Sequence, residues 1–255
     1  MTAPTTRQET LQRWSQLHGG VDADASRWIS GWVVLSHACA RPLARVRLSP
    51  NVVTWSTVVV MATAPGLAAL GRWWPLLAAA VVTLAAVLDG VDGALAIQTD
   101  SVSRWGKVID PLADRCSDVL LIGVLVVLGM PPWLGIVLAL ITLLLESVRA
   151  TAQAAGMDGP GRITLWERPS RVLVAVFGSL SVGALWCLRQ WGVDAASFVT
   201  GPVLVTSIGV VGSVLAIIGM AQLLVAIRHQ LRPDAVPAAA FDRDADRSPA
   251  SVPTP

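Results

Sequence analysis

LDGVDGALAIQTDSVSRWGKVIDPLADR, residues 88–115, decides how this chain is read. Its Asp89, Asp92, Asp110 and Asp114 stand in or beside runs of Ala, Val and Leu long enough to cross a bilayer. Carboxylates are expensive there, so their presence demands a partner. On a helix Asp89 and Asp92 are three apart and share a face; Asp110 and Asp114, four apart, share another. The short basic stretch between the pairs makes the two helices antiparallel neighbours, with all four acids at one depth. Such a cluster would repel itself, and divalent cations relieve it, because hard oxygen ligands suit Mg²⁺, Mn²⁺ or Ca²⁺. Gly90, Gly93 and Gly106 remove side chains beside the acids, so a large ligand or another backbone can approach. A lone Asp at such a boundary commonly pairs with Arg104, Lys107 or Arg115, but four at paired helical spacing exceed that explanation.

Composition agrees with a membrane setting. Hydrophobic residues make up 54% of the 255 and charged residues 14%, against about a quarter charged in soluble domains. A net charge of +2 gives no basis for nucleic-acid binding. Cys39, Cys116 and Cys187 match no zinc or disulfide framework and read as ordinary thiols. The near-exclusive use of Arg, with Lys107 the only Lys, points to a bacterial source of high GC content. Residues 1–27 show no cleavable signal peptide.

A span needs roughly 20 apolar residues. Candidates fall at 52–70, 75–97, 108–129, 132–155, 171–188 and 202–227, separated by Gly- and Pro-containing breaks. Trp73, Trp74, Trp133, Trp166, Trp186 and Trp191 lie near the ends, where interfacial aromatics sit. Basic residues gather in alternate connections: Arg41, Arg45 and Arg47; Arg104 and Lys107; Arg149, Arg162, Arg168 and Arg171; Arg228 and Arg232. The positive-inside rule then places both termini in the cytoplasm. The expected protein is all-α and polytopic, with six transmembrane helices in the cell membrane. Residues 1–26 form a polar N-terminal segment, 27–48 an interfacial amphipathic helix, 49–229 the six-helix membrane domain and 230–255 a disordered cytoplasmic tail. His37 reads as a packed or interfacial histidine.

The stretch resembles the signature of the CDP-alcohol phosphatidyltransferase family, D-x-x-D-G-x-x-A-R, eight residues, then G-x-x-x-D-x-x-x-D. Asp89, Asp92, Gly93, Ala96, Gly106, Asp110 and Asp114 match at every spacing; the signature Arg is Ile97 here. Pro50, Asn51 and Thr54 are similar to the family's P-N-x-x-T element. The resemblance implies a transferase of phospholipid biosynthesis that moves a phosphatidyl group from CDP-diacylglycerol to a polar alcohol and releases CMP. It implies Asp89, Asp92, Asp110 and Asp114 as ligands of Mg²⁺ or Mn²⁺ in a two-metal site, with Asp114 also the base for the acceptor hydroxyl. Gly93, Ala96, Gly106, Pro50, Asn51 and Thr54 would bind the nucleotide donor, and Arg104 or Lys107 would stand in for the missing Arg. A homodimer is implied by the family alone.

The connection after the fourth span concentrates Arg149, Arg168 and Arg171, which as acceptor-binding groups would favour a phosphorylated alcohol. It is similar to the phosphatidylinositol-phosphate synthase branch, Y-x-R-A-R-A-E followed by E-R-x-x-R, but the second Arg of the first run is Thr151. Inositol phosphate, glycerol 3-phosphate and an unphosphorylated polyol therefore stay open. The competing readings are a cation or proton-coupled transporter, which would place its acids near the midplane, and a catalytically degenerate family member.

Overall fold

A computed structural model describes residues 27–101, 103–157, 159, 161, 163–193 and 199–231, with the isolated positions 12 and 15. The N-terminal segment, the tail with Arg232, and Arg162 lie outside the described residues. Among these residues the chain is helical throughout: α1 Arg27–Arg45, α2 Pro50–Ala69, α3 Trp74–Gln98, α4 Gly106–Val127, α5 Pro132–Ala154, α6 Arg168–Gln190 and α7 Gly201–Gln230. Proline at the first turn starts α2, α3, α5, α6 and α7, where its missing N–H costs nothing. Gly71, Gly129 and Gly192, all with positive φ, follow α2, α4 and α6 and let the chain reverse.

Five helices, α2, α3, α5, α6 and α7, are long and apolar enough to cross a membrane. With 22 residues α4 is as long, but Lys107, Asp110, Asp114, Arg115 and Asp118 interrupt it up to its middle. Its second half supplies Leu121, Val124 and Leu125 to the main core, together with Met61, Val82, Leu138, Ala175, Val205 and Leu223 from the other five. Val59, Leu140, Phe177, Val211, Ile217 and others point outward, the reverse of a water-soluble surface and suited to lipid contact.

Close packing relies on glycine where helices cross. A Cβ at Gly219 would lie 2.9 Å from Trp166 Cβ and 3.1 Å from its backbone nitrogen, so α7 meets the α5–α6 connection backbone to backbone. Trp166 is itself 1% exposed and donates from Nε1 to Thr142 Oγ1 at 2.9 Å. That corrects its expected place in an interfacial belt: the indole N–H has a partner inside the bundle and does not need the headgroup layer.

The two acid-bearing helices depart from expectation in one respect. Adjacent in sequence, α3 and α4 barely touch each other. Both pack instead against α2 on one side and α6 on the other, while α1 lies along α3. A gap is left between them at the end of the bundle where the acids stand.

Candidate active site

Each acid enters this gap from a helix that the core holds in place. Val91, Ala94 and Leu95 are buried against Ala40 of α1 and Val53 of α2, which turns Asp89, Asp92 and Gly93 toward α4. Ile109 and Ala113 are buried on α4, and Asp110 and Asp114 occupy the neighbouring face, where they line the gap. Asp92 is 5% exposed and fully engaged: Thr54 Oγ1 donates to its Oδ2 at 2.6 Å and the Gly93 backbone N–H to its Oδ1 at 2.6 Å. The α2 threonine therefore fixes an α3 carboxylate, a contact across 38 residues of sequence.

Two cavities occupy the gap and share Asp92, Gly93, Ile97 and Asp110. The first, about 280 Å³, is also lined by Pro50, Asn51, Thr54, Ala96, Gly106 and Lys107. Nearly all the residues assigned to donor binding from sequence thus meet in one place. Arg104, the exception, lines neither cavity. Ile97 occupies the wall between the two, 7% exposed. The second, about 290 Å³, adds Asp89 and Asp114 and reaches α1.

The three arginines assigned to an acceptor divide into two groups. Arg168 enters the acid cluster: Nη2 donates to Asp89 Oδ1 at 2.7 Å and Nη1 to Asp114 Oδ1. Arg171 and Arg149 face away from it. Arg171 is 5% exposed, donating to Asp118 at 2.7 Å, to Glu146 at 2.5 Å and to the Trp166 carbonyl at 3.1 Å. Arg149 pairs with Glu167 at 2.7 Å, and Arg115 with Glu146 at 3.2 Å. Glu167 in turn accepts from the Thr164 N–H and hydroxyl, both at 2.8 Å. Three acids, Asp118, Glu146 and Glu167, are thereby matched by three arginines, and the lattice joins α4, α5 and α6. Glu146 was not singled out in the sequence, and Glu167 only as the first position of the E-R-x-x-R element, because ion-pair partners 18 to 31 residues apart leave no local pattern.

The charges around the gap do not balance in this way. Asp89, Asp92, Asp110 and Asp114 are opposed by Arg168 and, across the first cavity, by Lys107, so two formal negative charges remain. Among the described residues no three of the acids converge closely enough to hold a metal ion, and the Arg168 guanidinium bridges Asp89 and Asp114. The donor set, all carboxylate oxygen and in charge excess, fits a hard divalent cation.

Comparison with known proteins follows the same line. The family model of the CDP-alcohol phosphatidyltransferases matches residues 47–231.

The chain belongs to the CDP-alcohol phosphatidyltransferase family.

Within this transferase family, a phosphatidylinositol phosphate synthase of Mycobacterium marinum is 35% identical over 153 residues, 57% of this chain. The match spans 64% of that relative's length. An archaetidylinositol phosphate synthase of Aeropyrum pernix is 32% identical over 143 residues, 55% of this chain and 70% of the relative. The crystal structure of Mycobacterium tuberculosis phosphatidylinositol phosphate synthase in complex with manganese and citrate superposes with a TM-score of 0.59 at 24% identity. That superposition covers 79% of this chain and 92% of the crystallised one. A second structure of the same protein, with CDP-DAG bound, gives 0.58. The six core helices of this chain therefore have the family's fold.

Proposed function

We propose that this protein transfers a phosphatidyl group from CDP-diacylglycerol to an alcohol acceptor, releasing CMP, at the cytoplasmic end of a six-span bundle. One observation carries the reading: carboxylates of α3 and α4 face each other across a gap with an excess of negative charge, beside a cavity that gathers Pro50, Asn51, Thr54, Gly93, Gly106 and Lys107. Counting α4 as the sixth span is part of this proposal, as are the cytoplasmic termini and the interfacial placement of α1.

Asp89, Asp92, Asp110 and Asp114 would hold Mg²⁺ or Mn²⁺. Two ions suit the formal charge once a diphosphate has entered. Bound there, such cations screen the diphosphate from the carboxylates and stabilise the leaving CMP. The chain's own residues do the rest. The first cavity seats the nucleotide: Asn51 and Ser103 offer polar groups beside Gly106, whose bare Cα leaves room for a close approach. Lys107 faces the diphosphate. Asp114 takes the proton of the acceptor hydroxyl as its oxygen attacks the lipid-bearing phosphorus and the bond to CMP breaks. Thr54 keeps Asp92 oriented throughout.

Arg168, on the acid cluster, is the acceptor-facing arginine, suited to a phosphate on the alcohol. Arg149 and Arg171 hold the frame that presents it, since carboxylates already claim both guanidiniums. The names of the relatives support inositol phosphate as the acceptor.

The test is purified protein with radiolabelled CDP-diacylglycerol, Mg²⁺ or Mn²⁺, and a panel of inositol 1-phosphate, glycerol 3-phosphate and inositol. Metal-dependent CMP release that Asp114→Asn abolishes is the expected result. If no acceptor yields release above that variant, the reading fails; cation flux in proteoliposomes in its place would make the protein a carrier.

A further inference from the structure

The second cavity has a wall that no part of the signature supplies. It comes from α1, through Trp32, Ser36 and His37, and it faces Asp89 and Asp114. The helix is tied there: Val91 and Leu95 pack against Ala40, and Gln98 Nε2 donates to the His37 carbonyl at 2.8 Å. Two polar groups of α1 converge on one point of α3. A Cβ at Gly90 would lie 2.6 Å from Ser36 Oγ and 3.0 Å from Trp32 Nε1. Gly90 is one of the unspecified positions of the D-x-x-D-G pattern, so its bareness is a property of this contact. Ser36 is 4% exposed, and its Oγ has no hydrogen-bond partner among the described residues. A buried hydroxyl without a partner calls for a ligand or water.

Lining chemistry narrows what that ligand is. The described lining of this cavity has three donor-bearing side chains from α1, Trp32, Ser36 and His37, the Asp89, Asp92, Asp110 and Asp114 carboxylates, and neither Lys nor Arg. A group that both donates and accepts hydrogen bonds fits such a wall; a bare anion does not. At about 290 Å³ it is close in size to the first cavity and far too small for two acyl chains. The nucleotide has its own cavity on the α2 side.

We infer that the second cavity is the subsite for the acceptor's hydroxyl groups, with Ser36 and Trp32 of α1 holding the alcohol against Asp114. This rests on the transfer reaction proposed above and adds to it a role for α1. The Ser36 hydroxyl and the Trp32 indole N–H position the acceptor, and Gly90 keeps open the seat where they meet α3. Any phosphate on the acceptor points to Arg168, on the far side of Asp89 and Asp114.

The experiment is steady-state kinetics on the full chain with CDP-diacylglycerol and whichever of inositol 1-phosphate, glycerol 3-phosphate or inositol the wild type uses. Ser36→Ala, Trp32→Phe and Gly90→Ala are compared with wild type, and thermal melting is followed for each. Ser36→Ala and Trp32→Phe should each raise the acceptor KM roughly threefold to tenfold, the loss of one hydrogen bond, with the donor KM within twofold and the melting temperature of Ser36→Ala not lowered. Gly90→Ala should show the same split. An acceptor KM within twofold of wild type in both Ser36→Ala and Trp32→Phe overturns the inference and leaves the transfer reaction standing. A rise in the donor KM in place of the acceptor's assigns the cavity to the donor and overturns it equally. Wild-type protein inactive with every acceptor overturns the transfer reaction, and this subsite with it.

Discussion

Asp114 receives a hydrogen bond from Arg168, stands across the gap from Asp92, and lines the cavity assigned to the acceptor. Among the described carboxylates Asp89 shares the Arg168 contact and the cavity, but from the α3 side that carries Asp92. Removing its charge while keeping its shape should therefore separate chemistry from binding. Asp114→Asn is expected to lower kcat by at least about 100-fold, the usual span for a positioned base. CDP-diacylglycerol should still bind, which equilibrium binding of labelled donor would show. Ile97 poses a second question at this scale. Its apolar side chain stands where the family signature has Arg, and among the described lining of the first cavity Lys107 is the one cation. Lys107→Met should raise the donor KM by about tenfold, the worth of a charge-assisted hydrogen bond. Arg104→Met, at a residue that lines neither cavity, should leave it within twofold. The four acids and their spacing were legible in the sequence because helical periodicity says which side chains share a face. It does not say how far apart two faces stand, so the gap between α3 and α4 could not be read there; Arg168 was named among the acceptor arginines, but nothing local set it apart from Arg149 and Arg171.

Six long helices were equally legible, within a few residues at most ends, because apolar length and Gly/Pro punctuation are local signals. Their mutual arrangement depends on small residues and buried ion pairs that carry no such signal. Trp166 shows the difference: near a span end by sequence, it is buried by Gly219 and Thr142, both distant in the chain. The contribution of α1 was hidden for the same reason, since Trp32, Ser36 and Gly90 form no motif. The lattice of Asp118, Glu146 and Glu167 with Arg115, Arg149 and Arg171 makes a claim about the elements themselves. It fastens α4, α5 and α6 where apolar packing gives way to the polar site. Arg171→Met should leave the buried Asp118 and the half-buried Glu146 underpaired and cost about 3–5 kcal/mol, seen as a large fall in thermal midpoint in detergent. Gly219→Ala should cost about 1–3 kcal/mol by forcing α7 from the Trp166 backbone.

Among the described residues the bundle has an apolar exterior, and most charged residues stand at the acid-bearing end, with Arg72 and Arg189 at the other. That asymmetry makes topology testable without the enzyme assay. With Cys39, Cys116 and Cys187 replaced by Ser, a cysteine at Ser101 should react with an impermeant maleimide only in inside-out vesicles. One at Gly192, in the turn after α6, should react only in right-side-out vesicles. The proposed metal dependence is likewise tested on the assembled site. Chelation should abolish turnover and Mn²⁺ should restore it, while Asp89→Asn and Asp110→Asn should weaken Mn²⁺ binding measured by electron paramagnetic resonance. The central claim is that a phosphoryl-linked lipid moves intact from CMP to an alcohol. Its most direct test follows ³²P placed in the lipid-bearing phosphate of CDP-diacylglycerol through a reaction with inositol 1-phosphate and Mn²⁺. The label should appear in a new phospholipid that also contains the acceptor, with one CMP released per lipid formed. Label recovered only as unreacted donor or as phosphatidic acid would contradict it.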